Sequence, residues 1–107
     1  ISISDPLRII VTLENGLAEL KNFSKTGASL RIKNMAINEG ESISFNYDSV
    51  DGALGTKLVE EGVGNLTGVV QWVYQEDNNT IIGVQYEDLG NSQARRMFEI
   101  LADTVAS

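Results

Sequence analysis

The 107-residue chain contains no cysteine and no histidine. That double absence removes thiol nucleophiles, disulfides, imidazole general bases and the usual zinc and transition-metal ligands in one step. Carboxylates, Ser, Thr, Lys and Tyr remain, but no serine or threonine stands beside a base in a recognisable nucleophile motif. Adjacent Glu60 and Glu61 do not supply the two converging carboxylates of a glycosidase and read as a solvated pair. The chain is expected to bind rather than to catalyse, with no cofactor and no metal. No apolar run approaches the length that crosses a bilayer, and no basic-then-apolar leader opens the chain. A cytoplasmic setting is expected, without membrane insertion by this segment. Beginning at Ile1 rather than Met fits a segment of a longer protein.

Positive charge is also scarce, with eight Lys and Arg against fifteen Asp and Glu, for a net charge of −7. Counterion release needs a basic surface, so a nucleic-acid polymer is a poor partner, and a single-strand-binding barrel is disfavoured with it. The scarce cations are clustered, however. Residues 20–38 hold no acidic side chain, while Lys21, Lys25, Arg31 and Lys33 supply half of all the positive charges. Screening acts over about 8 Å at physiological salt, so an anion docked on that stretch feels these four more than distant carboxylates.

What is present is strand patterning. A 42% share of hydrophobic residues is enough for one core in a single domain spanning 1–107. Leu7, Ile9, Val11 and Leu13 alternate up to Asn15-Gly16, a hairpin signal, and a second strand runs from Leu17 to about Phe23. Ala28, Leu30 and Ile32 alternate with Ser29, Arg31 and Lys33, and Ile43, Phe45 and Tyr47 with Ser42, Ser44 and Asn46. Residues 48–65 lose the pattern among glycines and read as an irregular insertion with room for a short strand or a turn of helix. Strand order returns over Leu66 to Gln75, with Gly68, Val70, Trp72 and Tyr74 on one face. Asp77-Asn78-Asn79 turns the chain into Thr80 to Glu87. The period then changes: Ala94, Met97, Phe98, Leu101 and Val105 fall at helical spacing. Asn91 or Ser92 is placed to cap that helix, and Arg95 to pair with Glu99. The expected fold is a six-stranded antiparallel barrel over 7–89 with a C-terminal helix over 91–106. Phe45, Tyr47, Trp72, Tyr74, Tyr86 and Phe98 are assigned to its core. Two Asn-x-Thr sequons, at Asn65 and Asn78, read as chance matches.

Asn22-Phe23-Ser24-Lys25-Thr26-Gly27, followed by Ala28-Ser29-Leu30, resembles the signature of the PilZ domain family. There, Asp or Asn, then Ser, then Gly occupy positions one, three and six ahead of a strand. In the same order, Gly40-Glu41-Ser42-Ile43-Ser44-Phe45, Val69-Val70-Gln71-Trp72-Val73 and Ile82-Gly83-Val84-Gln85-Tyr86 are similar to later strands of that family. The resemblance implies a split-barrel sensor of cyclic di-guanosine monophosphate (cyclic di-GMP) in a bacterial protein, such as a cellulose-synthase-like glycosyltransferase. It also implies base and turn contacts from Asn22, Ser24 and Gly27, with Lys21, Lys25 and Arg31 as lesser phosphate aids. The family's other half is an Arg-x-x-x-Arg segment before the first strand, whose forked guanidinium groups grip phosphates and guanines. Only Arg8 precedes Asn22 here, and it is kept as a candidate ligand contact; with Ser4 four residues before it, the pair by spacing falls at or before Ile1. The rival expectation is a barrel of this shape that binds no nucleotide and works through contacts with a parent or partner protein domain.

Overall fold

A computed structural model describes the chain apart from residues 4–8, 15, 34–35, 47–51, 62–64, 88–91 and 107. Arg8, Tyr47 and Asn91 lie outside the described residues, and so do their expected roles as ligand contact, core aromatic and helix cap.

Six strands and two helices follow in the order β1 (Ile10–Leu13), β2 (Gly16–Phe23), β3 (Gly27–Lys33), β4 (Ser42–Asn46), α1 (Gly52–Glu60), β5 (Asn65–Glu76), β6 (Asn79–Tyr86) and α2 (Ser92–Ala106). All pairings are antiparallel, and the strands close into a barrel in the order β1-β2-β3-β6-β5-β4. Among the described residues, β1 meets β4 at Thr12↔Asn46 and Leu13↔Phe45, which closes the barrel. The alternation in the sequence sets the inward face. Val11 and Leu13 of β1, Ala18 and Leu20 of β2, Leu30 and Ile32 of β3, and Ile82 and Val84 of β6 are buried together. Each buried Val, Leu or Ile among them contributes roughly 1.5–3 kcal/mol. Helix α2 adds Ala94, Met97, Ile100 and Leu101 to the same core, while Phe98 and Val105 are only partly buried. The β5–β6 hairpin turns through Asp77 and Asn78, with Asp77 at φ 52°, a left-handed position that a short polar side chain tolerates. The first hairpin turns one residue earlier than the Asn-Gly pair suggests, because Gly16 already pairs with Leu13.

Two β-bulges correct the alternation. In β2 the register slips between Leu20 and Asn22, leaving Lys21 as the extra residue. In β5 it slips between Val70 and Trp72, leaving Gln71 unpaired. An extra residue inverts which side chains face inward beyond it. Val70 is therefore buried and Val73 packs on the core, whereas Trp72 and Tyr74 point outward, 45% and 59% exposed. The assignment of those two aromatics to the core is overturned for this reason. Tyr86 is buried as expected.

The region expected to be irregular contains α1. Nine residues are too few for a helix to persist alone, so packing decides its formation. Leu58 is fully buried, and Lys57 lies 3.7 Å from Glu61 one turn on. Glu61 is exposed, as expected, but it is also paired: it accepts a 2.7 Å hydrogen bond from Arg96 of α2, which also reaches Glu99 at 3.2 Å. That hydrogen bond, and then the charge of Arg96, hold Glu61 below its ordinary range. The partner of Glu99 is thus Arg96, not Arg95, because the three-residue spacing brings that pair together.

Candidate ligand-binding groove

The β2–β3 connection is built by one hydroxyl. Ser24 Oγ accepts from the backbone N–H groups of Thr26 and Gly27, both at 3.2 Å, and lies 3.2 Å from Thr26 Oγ1. The Ser24 N–H donates to the Gly27 carbonyl at 2.8 Å. A serine hydroxyl that satisfies two successive amides in this way fixes the loop locally. The loop is fastened from both sides. The Tyr86 N–H of β6 donates to the Thr26 carbonyl at 2.8 Å. On the other flank Ile1 and Phe23 exchange backbone hydrogen bonds, and the Ile3 N–H donates to the Lys21 carbonyl at 2.8 Å.

Gly27 is required here by proximity rather than by torsion. Gly40 is the glycine at positive φ among those described, at 87°, so Gly27 is not in the left-handed region. A Cβ on Gly27 would instead run into the Val84 carbonyl oxygen and lie 3.3 Å from Gln85 Cα. The start of β3 is pressed against β6 backbone.

On the outer face beside this loop the register places Asn22, Ser29, Gly83 and Trp72 in one row across β2, β3, β6 and β5. Three steps of roughly 4.8 Å make that row about 14 Å long. Its two ends are the bulged strands. A side chain on Gly83 would collide with the Trp72 indole, so the ring lies over the bare backbone of β6. Ser29 faces outward by alternation, yet is only 5% exposed at the floor. The result is an open groove of about 300 Å³ walled by Trp72 and floored by Ser29 and Gly83, with Asn22, Ser24 and Gly27 among its lining. Asn22 and the serines offer donors and acceptors, and Trp72 offers an aromatic face. Such a surface suits a flat heteroaromatic ring.

The model of the PilZ domain family matches residues 3–103, which take in the barrel and most of α2. The chain belongs to the PilZ domain family. A comparison with curated proteins finds no match. PilZ domains are regulatory or binding modules that typically take cyclic di-GMP. Among the described residues, no helix of this PilZ domain is long and apolar enough to cross a membrane, and no cluster of metal-ligating side chains is present.

Within the PilZ barrel, the expected site residues divide into two groups. Asn22, Ser24 and Gly27 line the groove together. Lys21, Lys25 and Arg31 do not line it. Lys21 is the bulged residue of β2 and half-exposed. Lys25 turns its ammonium toward the Phe98 ring of α2, 5.7 Å from the centroid. Arg31 lies two residues beyond Ser29 on the same face and pairs with Glu19 across the strands at 3.3 Å. All the residues that line the groove are uncharged. Sequence reasoning missed Ser29, Trp72 and Gly83. The signal for them was the Gly-x-x-aromatic strand: a glycine midway along a buried strand marks a close approach from outside.

Proposed function

We propose that this PilZ domain is a cyclic di-GMP-responsive regulatory module in which the groove seats a guanine, while the phosphates are gripped by cations brought from beyond the lining. The observation that carries the reading is the convergence of Asn22, Ser24, Ser29, Gly83 and Trp72 on one groove beside the motif loop. A guanine laid over Ser29 and Gly83 has the Trp72 face to stack on and Asn22 and serine hydroxyls at its edge.

Magnitudes explain why the groove needs help. Stacking one base on an aromatic contributes about 1–3 kcal/mol, and each neutral hydrogen bond about 0.5–1.5 kcal/mol. One stack and two or three such bonds fall short of the roughly 8 kcal/mol of micromolar binding. Each charge-assisted hydrogen bond to a phosphate adds about 1.5–3 kcal/mol, which an arginine pair supplies and the uncharged lining does not. A segment joined ahead of Ile1 enters beside the motif, because Ile1 is held to Phe23.

Calorimetry with cyclic di-GMP tests the reading on residues 1–107 and on the same chain preceded by an Arg-x-x-x-Arg segment. The first is expected to bind weakly or undetectably. The second is expected to reach micromolar affinity and to lose it on Asn22→Ala or Ser24→Ala. Tight binding by residues 1–107 alone would show that Arg8 or the Lys21, Lys25 and Arg31 cations take the grip themselves. No binding by the arginine-bearing chain refutes the nucleotide reading and leaves the barrel acting through protein contacts.

A further inference from the structure

The motif loop touches α2 as well as the groove. Phe23, the last residue of β2, meets Phe98 edge to face, with centroids 5.6 Å apart and planes inclined by 65°. Two residues on, Lys25 holds Nζ 5.7 Å from the centroid of that same ring. Between them stands Ser24, which lines the groove and ties down Thr26 and Gly27. One half-buried ring of α2 is thus contacted from both sides of a groove residue. Phe98 follows buried Met97 and is three residues before buried Leu101, so its seating is part of how α2 sits on the barrel.

An exposed ammonium on an aromatic face is a weak contact, and a charge-assisted hydrogen bond to a phosphate oxygen outranks it. The flexible four-carbon stem of Lys25 lets its ammonium leave the ring without moving the loop backbone. We propose that Lys25 is a switch residue: in the free domain it clamps α2 through Phe98, and a phosphate diester held at the groove draws the ammonium away and loosens α2. The proposal rests on the groove being a nucleotide seat. Its consequence is mechanical, since α2 is tied through Arg96 to Glu61, the residue that follows α1, and both helices receive the signal. Among the described residues, Arg96 is committed to Glu61 and Glu99 and Arg31 to Glu19, whereas Lys25, next to the groove residue Ser24, lies over a ring of α2.

Amide hydrogen exchange followed by NMR tests this on the full chain without ligand and, for every comparison with ligand, on the chain preceded by the Arg-x-x-x-Arg segment, with and without saturating cyclic di-GMP. Lys25→Met is expected to speed exchange in α2 about two- to fivefold, the equivalent of one surface cation–π contact, while β3 and β6 are unchanged. Lys25→Arg keeps the wild-type rates. In the wild type, saturating ligand produces the same α2 acceleration, and in Lys25→Met it adds none. If Lys25→Met leaves α2 exchange unaltered, there is no clamp. If the Asn22, Ser29 and Gly83 amides shift with ligand but α2 exchange stays constant, the coupling is refuted and the groove reading stands. If those amides do not shift, the groove reading fails and the switch falls with it.

Discussion

Substituting Gly27 by alanine isolates the closeness of two strands from any role in ligand binding. The added methyl meets the Val84 carbonyl oxygen, and it lies 3.2 Å from the Val84 carbonyl carbon and 3.3 Å from Gln85 Cα. These are backbone atoms in a ladder running from Gly27↔Gln85 to Lys33↔Asn79, so a strand must move rather than a rotamer. Forcing an extra methyl into such a contact costs about 1–3 kcal/mol. Alanine restricts the unfolded chain and returns about 0.4–1 kcal/mol of that. The net loss is up to about 2.6 kcal/mol, with a central value of about 1.3 kcal/mol, and valine, with two further methyl groups, is expected to lose about 1–3 kcal/mol. For a domain of this size each kcal/mol moves the melting temperature by about 4–8 °C. A far-ultraviolet circular dichroism melt without ligand reads the effect directly. Gly40 is the control. Its φ is 87° and no atom lies within 4 Å of a Cβ there, so its penalty is torsional and asparagine recovers much of it. At Gly27 asparagine recovers nothing. A Gly27→Ala protein melting at or above the wild-type temperature would refute the claim that β3 and β6 are pressed together there.

Other perturbations separate the groove from the helices. Gly83→Ala pushes the Trp72 indole off β6; the side chain swings aside, so stability changes little, but tryptophan emission shifts to the red and cyclic di-GMP affinity drops in the arginine-bearing chain. Unchanged emission would place the indole elsewhere. Glu61→Gln removes a carboxylate whose folded-state pKa lies below its ordinary 4.5 because of Arg96. A depressed acid stabilises above its unfolded pKa and loses that contribution as pH falls through the folded value. The wild type is therefore expected to melt above Glu61→Gln at neutral pH, with the gap shrinking once the pH drops under 4.5 and closing in stronger acid. A gap that persists unchanged into strong acid contradicts the assignment.

The strands were legible because alternation is a local signal, and Val11, Leu30, Ile32 and Ile82 report the inward face without knowledge of their partners. The groove was half legible. Asn22, Ser24 and Gly27 stand in one hexapeptide, but Ser29, Gly83 and Trp72 join them only through cross-strand register. The bulge at Gln71 is what a period-two reading cannot see, since one uncounted residue exchanges the inner and outer faces for Trp72 and Tyr74. Helix α1 was hidden by glycines at 52 and 55, and the burial of Leu58 depends on tertiary packing, including that of α1 on α2, which a local pattern does not report. The Arg96 to Glu61 bridge spans 35 residues of sequence, beyond what helical spacing on α2 can indicate.

The fastening of the motif loop has a consequence for how force travels. Residues 1–3 lie antiparallel to residues 21–23, and the last residue of β6 is bonded to Thr26. The path into the barrel and the path out of it toward α2 therefore converge on a single stretch, 21–27. A pull on residue 1 along its own direction acts on the three backbone bonds to β2 in shear, all at once, and a pull on Glu87 is shared between its own bond to the Thr67 carbonyl and the neighbouring bond from Tyr86 to Thr26. Tension or twist from either flank reaches the motif before it reaches the distant hairpin at Asp77. Read in the opposite direction, stiffening residues 21–27 braces residues 1–3 and the end of β6 against each other, since both are bonded to that one stretch.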